Sequence, residues 1–298
     1  MDIKLRIGTR GSKLALWQAH DLKAQLKVQG VDSELVIIKT KGDQIQNLSF
    51  DKIEGKGFFT KEIEDALLAH EIDVAVHSMK DLPTQGVDGL SIVAVSQRAN
   101  PRDILICSRS ISDGTRPLRI SKGAKIGTSS IRRKVQLAAL DPDVSLIDIR
   151  GNVPTRIKKI DEGLVDGVVL ASAGVDRLDI DLSGYLTLRL HPTEFVPAPA
   201  QGVIAYQSRR DDQKTKSLLR LIHHREVAAC TNVERGLLRL LDGGCQLPLG
   251  AYCERDQGGN YHCHAVLGTT PLAPLKKVSY SQSTTSGMAD RMLDMLQA

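Results

Sequence analysis

Cationic and small hydroxyl residues recur in this chain where an apolar, strand-like run gives way to a helix-like one. Arg10 and Ser12 follow "IKLRIG", and Lys80 and Asp81 follow "VAVHS", whose last residue is Ser78. Thr128, Ser129, Ser130, Arg132 and Arg133 follow "KIG". Arg150, Gly151 and Asn152 follow "LIDI", with Arg156 one turn into the next helix, and Arg177 follows "VVLAS". A helix start presents unpaired N–H groups and a partial positive charge to an anion. Arginine adds a planar fork suited to carboxylate or phosphate. One such junction is ordinarily a solvated loop cation. Five in one chain point to a ligand with more negative charge than a single phosphate, a polycarboxylate above all.

Asp81 stands apart, because a carboxylate among cations repels an acidic ligand. Either it is structural, as a salt bridge to Lys80 or a helix cap, or it meets a positive charge that develops during a reaction. Cys245 is set apart too, in "DGGCQLPLG" at 242–250, where the glycines can lift a side chain away from its own backbone. The five cysteines (107, 230, 245, 253 and 263) are odd in number and scattered, which does not suggest a disulfide framework. The "HCH" at 262–264 raises zinc as an alternative. However, "YHCHAVL" alternates like a strand, which sends neighbouring side chains to opposite faces, and no C-x-x-C completes a site. No metal is expected, and Cys253 and Cys263 read as small core residues of strands.

The elements that must position these groups alternate in type. The N-terminal strand leads to a helix from about Ser12, striped by Ala15, Ala19, Leu22 and Leu26. "ELVIIKT" is a second strand. Residues 42–58 are polar and glycine-bearing without a period, which predicts a mobile loop. A helix from Thr60 and the strand "IDVAVHS" follow, and the same grammar returns from "AKIG" to "DGVVLAS". Strands alternating with helices imply mainly parallel sheets covered on both faces, with ligands at the carboxyl ends of the strands. "PTEFVPAPAQG" at 192–202 reads as a proline-rich domain link. Beyond it, Thr231-x-x-Glu234 reads as a capping box that starts a helix bearing Val233, Leu237 and Leu241, ended by Gly243 and Gly244. Three short strands and a last helix near 287–297 complete a small α+β domain.

Composition is that of a globular protein, with 298 residues, 41% hydrophobic and 25% charged. No apolar run approaches the roughly 20 residues of a membrane span. The N-terminus lacks the apolar core of a secretory signal, so the expectation is a cytoplasmic protein or one whose targeting segment has been removed. A net charge of +5 leans mildly toward anionic partners. Aromatics at 3% and the lack of a dense basic run argue against nucleic acid. The G-x-x-x-x-G-K-[ST] phosphate loop is missing.

Five collinear motifs then carry a resemblance: "GTRGSKLALWQA" at 8–19, "VHSMKDLPT" at 76–84, "GTSSIRR" at 127–133, "RGNVPTR" at 150–156 and "GGCQLPLGAY" at 243–252. Together they resemble the porphobilinogen deaminase (hydroxymethylbilane synthase) family. The resemblance implies an α/β fold of two periplasmic-binding-protein-like (type II) domains around a cleft, plus a small C-terminal α+β domain with a three-stranded sheet. It places these at 1–98 with 198–216, at 99–197, and at 217–298. It implies a monomeric transferase of tetrapyrrole (haem) biosynthesis that joins four porphobilinogen units head to tail, releases four ammonias and frees hydroxymethylbilane with water. It puts a thioether-bound dipyrromethane cofactor on Cys245 and the catalytic aspartate at Asp81. Arg10, Ser12, Lys80, Thr128, Ser129, Arg132, Arg133, Arg150, Arg156 and Arg177 fall on positions that bind the acetate and propionate arms of the pyrroles. Ser78, Ser130, Gly151 and Gln201 are counted with them. Lys56, in the 42–58 loop, is either a further contact or a solvated loop residue. Loss of ammonia leaves a cationic azafulvene, which explains a carboxylate among cations.

The alternative from a different class is a non-catalytic two-lobed binding protein for a polyanionic ligand. A receptor needs neither a tethering thiol nor a cation-stabilising carboxylate, so Cys245 and Asp81 discriminate between the two.

Overall fold

The computed structural model describes residues 4–40, 60–242, 247–270 and 273–298. The expected 42–58 loop with Lys56, the helix-ending Gly243 and Gly244, and Cys245 all lie outside the described residues.

The first stretch contains β1 (Leu5–Thr9), α1 (Lys13–Val28), β2 (Ser33–Ile37), α2 (Lys61–Leu68), β3 (Val74–Ser78) and β4 (Leu90–Val95). Ser12 has extended backbone and accepts the Ala15 N–H at 3.3 Å, so α1 starts where the hydroxyl can cap it. The stripe read from the sequence is the buried face. Ala19, Leu22 and Leu26 pack on Leu5, Ile7, Val74 and Val76, and each leucine contributes about 1.5–3 kcal/mol by leaving water.

The chain continues through β5 (Asp103–Ser108), β6 (Lys125–Gly127), α3 (Ile131–Leu140), β7 (Ser145–Ile147), α4 (Val153–Asp161), β8 (Gly167–Ala171), α5 (Ser172–Arg177) and β9 (Tyr185–Arg189). Ser130 caps α3 and Asn152 caps α4, with Pro154 in the first turn, where its missing N–H has no partner to lose. Then come β10 (Ile204–Arg209), α6 (Gln213–Arg220), α7 (Arg225–Leu240), β11 (Leu249–Arg255), β12 (Tyr261–Leu267), β13 (Lys276–Gln282) and α8 (Met288–Gln297).

The chain divides into two compact units, one within the bounds Met1–Ala99 and Gly202–Ala229, the other within Asn100–Gln201 and Cys230–Ala298. The first unit holds a five-stranded sheet in the order β2-β1-β3-β10-β4. The second holds another, β7-β6-β8-β5-β9, and a three-stranded sheet, β11-β12-β13. This is the expected α/β class with a small added sheet. In each large sheet one strand runs against the rest, β10 in the first and β5 in the second. A reversed strand begins at the edge where its parallel neighbour ends. Ile204 therefore lies opposite Ser78, and Asp103 opposite Ala171.

The three-stranded sheet packs one face on α7 and α8. Cys253 and Cys263 pair across β11 and β12 and are buried there with Val233, Leu237 and Met292, the core role expected of them.

The capping box is a correction. The helix begins at Arg225, which leaves Thr231 and Glu234 inside it and fully buried. The Glu234 carboxylate accepts the N–H of Ala200 at 2.6 Å and of Cys253 at 2.7 Å. Both are backbone donors far away in sequence, and Ala200 has a left-handed φ of 61°. A Thr-x-x-Glu spacing reads the same whether the acid reaches back to its own helix or outward to other segments.

Candidate functional site

In the first unit, β1 and β3 are parallel neighbours, with Ile7 opposite Val74 and Gly8 opposite Ala75. Their carboxyl ends therefore bring Arg10 and Ser12 to the same edge as Ser78, Lys80 and Asp81. The Ser78 hydroxyl accepts from Gln18 Nε2 at 2.8 Å, which ties α1 to the end of β3. Met79–Asp81 form one tight helical turn; Met79 and Leu82 are buried, Lys80 is half-buried and Asp81 is exposed. The Asp81 carboxylate makes no hydrogen bond or ion pair with any described residue. Neither structural reading of it, a salt bridge to Lys80 or a helix cap, matches this geometry.

Behind that edge lies a buried polar chain. His77 Nε2 is 3.1 Å from Gln207 Oε1, Gln207 Nε2 donates to Glu64 Oε1 at 3.0 Å, and the Thr60 hydroxyl donates to Glu64 Oε2 at 3.1 Å. The Gln207 amide thus turns its NH2 to Glu64 and its oxygen, which can only accept, to His77. His77 Nε2 therefore carries the proton. Burial, with the Arg10 charge adding to it, pushes the imidazole pKa down to about 4. An unfolded chain takes up a proton near pH 6.5 that the folded one refuses until about 4. Stability contributed by neutral His77 is thus intact above pH 6.5 and falls as the pH drops through that window, by about 3 kcal/mol in all. Urea denaturation at pH 7 and pH 4 is expected to show a loss larger by about that amount in the wild type than in His77→Gln. Equal losses in the two proteins would count against a buried neutral imidazole.

In the second unit β6 lies between β7 and β8, and all three run parallel. The turn after β6 is held by its own hydroxyls. Thr128 is buried and its oxygen accepts the Ser130 N–H. The Ser129 hydroxyl donates to the Ile149 carbonyl at 2.7 Å and accepts the Ile149 N–H at 3.1 Å, locking the β6 and β7 ends together. Ser130 accepts the Arg133 N–H as the cap of α3 and keeps its O–H to donate. After β7, Gly151 has a φ of 114°, and a Cβ there would lie 2.6 Å from Thr155 Cγ2, so glycine is required. Its carbonyl accepts from Arg156 Nε at 2.7 Å. Arg150 and Arg156 are half-buried.

Arg177 closes the six-residue α5 instead of standing at the end of β8. Ser172–Val175, which follow the strand directly, are buried.

Sequence reasoning missed Asp103. It opens β5, the reversed strand, and so stands at the edge where β8 ends, fully buried. Asp103 Oδ2 accepts from Arg132 Nη1 at 2.8 Å. Oδ1 accepts from Arg133 Nε and Nη2 at 3.2 and 2.8 Å and from Gln201 Nε2 at 3.0 Å. Arg132 Nη1 also donates to the Val196 carbonyl, with the guanidinium 5.9 Å from the Phe195 ring centroid. Arg133 Nη1 donates to the Val169 carbonyl, and Gln201 also reaches Pro101 O. The two guanidiniums hold the Asp103 carboxyl far below the usual carboxylate range despite its burial. A charged residue heading the apolar run "DILIC" was the available signal.

Cys107, Cys230, Cys253 and Cys263 are all buried. Burial, with Asp166 adding to it, pushes the Cys107 thiol up to about 12. Among the described residues no group of three His, Cys, Asp or Glu side chains could hold a metal ion. No described helix is long and apolar enough to cross a membrane.

Two family models match the chain. "Porphobilinogen deaminase, dipyromethane cofactor binding domain" matches residues 5–217, and "Porphobilinogen deaminase, C-terminal domain" matches 228–272. A porphobilinogen deaminase of Chloroherpeton thalassium is 44% identical over 292 residues, covering 97% of this chain and 91% of the relative. One of Syntrophomonas wolfei is 45% identical over 269 residues, covering 89% and 85%. Among solved structures, the periplasmic VFT2 domain of Bordetella pertussis BvgS is 16% identical with a TM-score of 0.42, covering 75% of this chain and 90% of that one.

Proposed function

The chain belongs to the porphobilinogen deaminase family, and we propose residue roles for that activity on the geometry above. The enzyme is a transferase. It condenses porphobilinogen units head to tail on a dipyrromethane, releases ammonia at each step and frees linear hydroxymethylbilane with water. The observation that carries the assignment of roles is Asp81, an exposed carboxylate without a partner among the described residues, on the edge that also bears Arg10 and Lys80.

The polar strand edge of each unit suits the carboxylate arms of a dipyrromethane. Each pyrrole brings two carboxylate arms, and the strand ends of both units carry guanidinium and ammonium groups. Cys245 is the attachment residue in our reading. Arg132, Arg150 and Arg156, with the Ser130 hydroxyl, hold arms in the second unit, while Arg10, Ser12 and Lys80 do so in the first. When bound, the dipyrromethane supplies the electron-rich pyrrole carbon to which each incoming unit is joined. Asp81 faces the N–H of the reacting pyrrole, stabilises the positive charge that develops as ammonia leaves, and accepts or returns a proton around coupling. Arg10 and Lys80 neutralise the substrate's own arms, so that its carboxylates and Asp81 can occupy one edge together.

The receptor alternative is not favoured, since nothing in it uses Asp81. Incubation of the purified protein with porphobilinogen is expected to release one ammonia for each unit consumed, with a chain mass above that of the sequence by two linked pyrroles. No consumption, or a bare mass in active protein, overturns this reading. We further place the enzyme in the cytoplasm as a single chain without nucleic-acid partners. Elution well above 32.5 kDa would contradict the monomer.

A further inference from the structure

Two guanidiniums and one carboxylate meet in the second unit with almost no exposure: Asp103 at 0%, Arg132 at 5% and Arg133 at 5%. Gln201, which joins them, is neutral. This buried set thus has one positive charge more than negative ones. That surplus positive charge, held at low exposure, favours an anion as its partner. The two arginines are not equivalent. Arg133 engages Nε, Nη1 and Nη2 with Asp103 and Val169. Arg132 engages Nη1 alone, with Asp103 and Val196, which leaves its Nε and Nη2 N–H groups without a bond to any described residue.

We propose that Asp103 is a positioning residue that presets Arg132, so that the rest of the Arg132 fork receives one carboxylate arm of the pyrrole chain. This rests on the deaminase reading. Asp103 touches neither substrate nor reacting atoms; it acts through Arg132. With Nη1 clamped between Asp103 and the Val196 carbonyl, and the guanidinium beside the Phe195 ring, the plane of the fork is fixed before any ligand arrives. A preset fork loses little freedom on binding. Arg133 offsets the charge that Asp103 keeps, and Gln201 fixes the rotamer of the carboxylate.

Loss of Asp103 also disturbs a buried ion pair, so a control matched for stability is needed. Asp141 supplies it. Its buried carboxylate pairs with Arg116 in the same unit, and its side chain bonds neither Arg132, Val196 nor Asp103. Asp103→Asn, Asp103→Glu and Asp141→Asn would be purified, their Tm measured, and the fraction carrying the covalent group read from intact mass. The glutamate keeps the charge and moves it by a methylene. Both Asp103 variants are expected to load about 10–100-fold less than an Asp141→Asn protein of similar Tm, as misplacement of a binding group by about 1 Å predicts. Loading that tracks Tm alone, with Asp103→Glu as full as Asp141→Asn, overturns the proposal. Should Asp103→Asn fail to fold, Asp103→Glu decides the matter. A wild type without added mass instead refutes the deaminase reading itself.

Discussion

Asp81→Asn is expected to lower kcat by about 10²–10³-fold, the usual loss when a preorganised charge-stabilising group is removed, while the fold and the covalent group persist. Asparagine has the same shape and keeps one oxygen to accept from a pyrrole N–H. It cannot carry the negative charge that offsets the cation left as ammonia departs, nor can it take a proton. Little stability is at stake, because the carboxylate is exposed and bonds to no described residue. Substitutions at such surface positions fall within about 0.5 kcal/mol. The turn beneath it is held by Met79 and Leu82, which the substitution leaves in place. Three measurements separate the cases: steady-state porphobilinogen consumption, Tm, and intact mass. Normal Tm and mass with a collapsed rate place Asp81 in the chemistry. A rate within a few-fold of wild type removes it.

What the sequence made legible was local. The helix expected from about Ser12 starts there, with Ser12 as its cap, and Ala19, Leu22 and Leu26 of the expected stripe are the buried face of α1. Ser130 and Asn152 cap α3 and α4. These features depend on residues three or four positions apart, so spacing reveals them. Asp103 and Glu234 escaped because their partners are remote. Asp103 reaches Arg132, Arg133 and Gln201, and Glu234 reaches Ala200 and Cys253. No periodicity records such pairings; only the topology does, by starting a reversed strand where a parallel one ends. Ser129 shows a subtler limit. A serine at a strand end reads as a ligand donor, yet its hydroxyl donates to the Ile149 carbonyl. Arg177 ends α5, with the buried Ser172–Val175 between it and β8, an intervening turn that the run "VVLAS" does not reveal.

The other large effect concerns Cys245. Cys245→Ser is expected to yield a chain of bare mass that consumes porphobilinogen no faster than the uncatalysed reaction. A thiol with an ordinary pKa near 8.5 is a few per cent thiolate at pH 7 and strongly nucleophilic, whereas a serine hydroxyl without an adjacent base is neither. No other cysteine can stand in. Cys107, Cys230, Cys253 and Cys263 are buried in hydrophobic cores, and the Cys107 thiol is further suppressed by its raised pKa. Thiol counting gives an independent reading. Of the five cysteines in the chain, the active wild type is expected to show four reactive thiols once unfolded in denaturant, since a thioether survives unfolding. A wild type stripped of the group, if obtained, should show five. Cys245→Ser should show four without any added mass. Five reactive thiols in unfolded, fully active wild type, or brisk turnover by Cys245→Ser, would place the attachment elsewhere and leave the glycine-flanked cysteine without a chemical role.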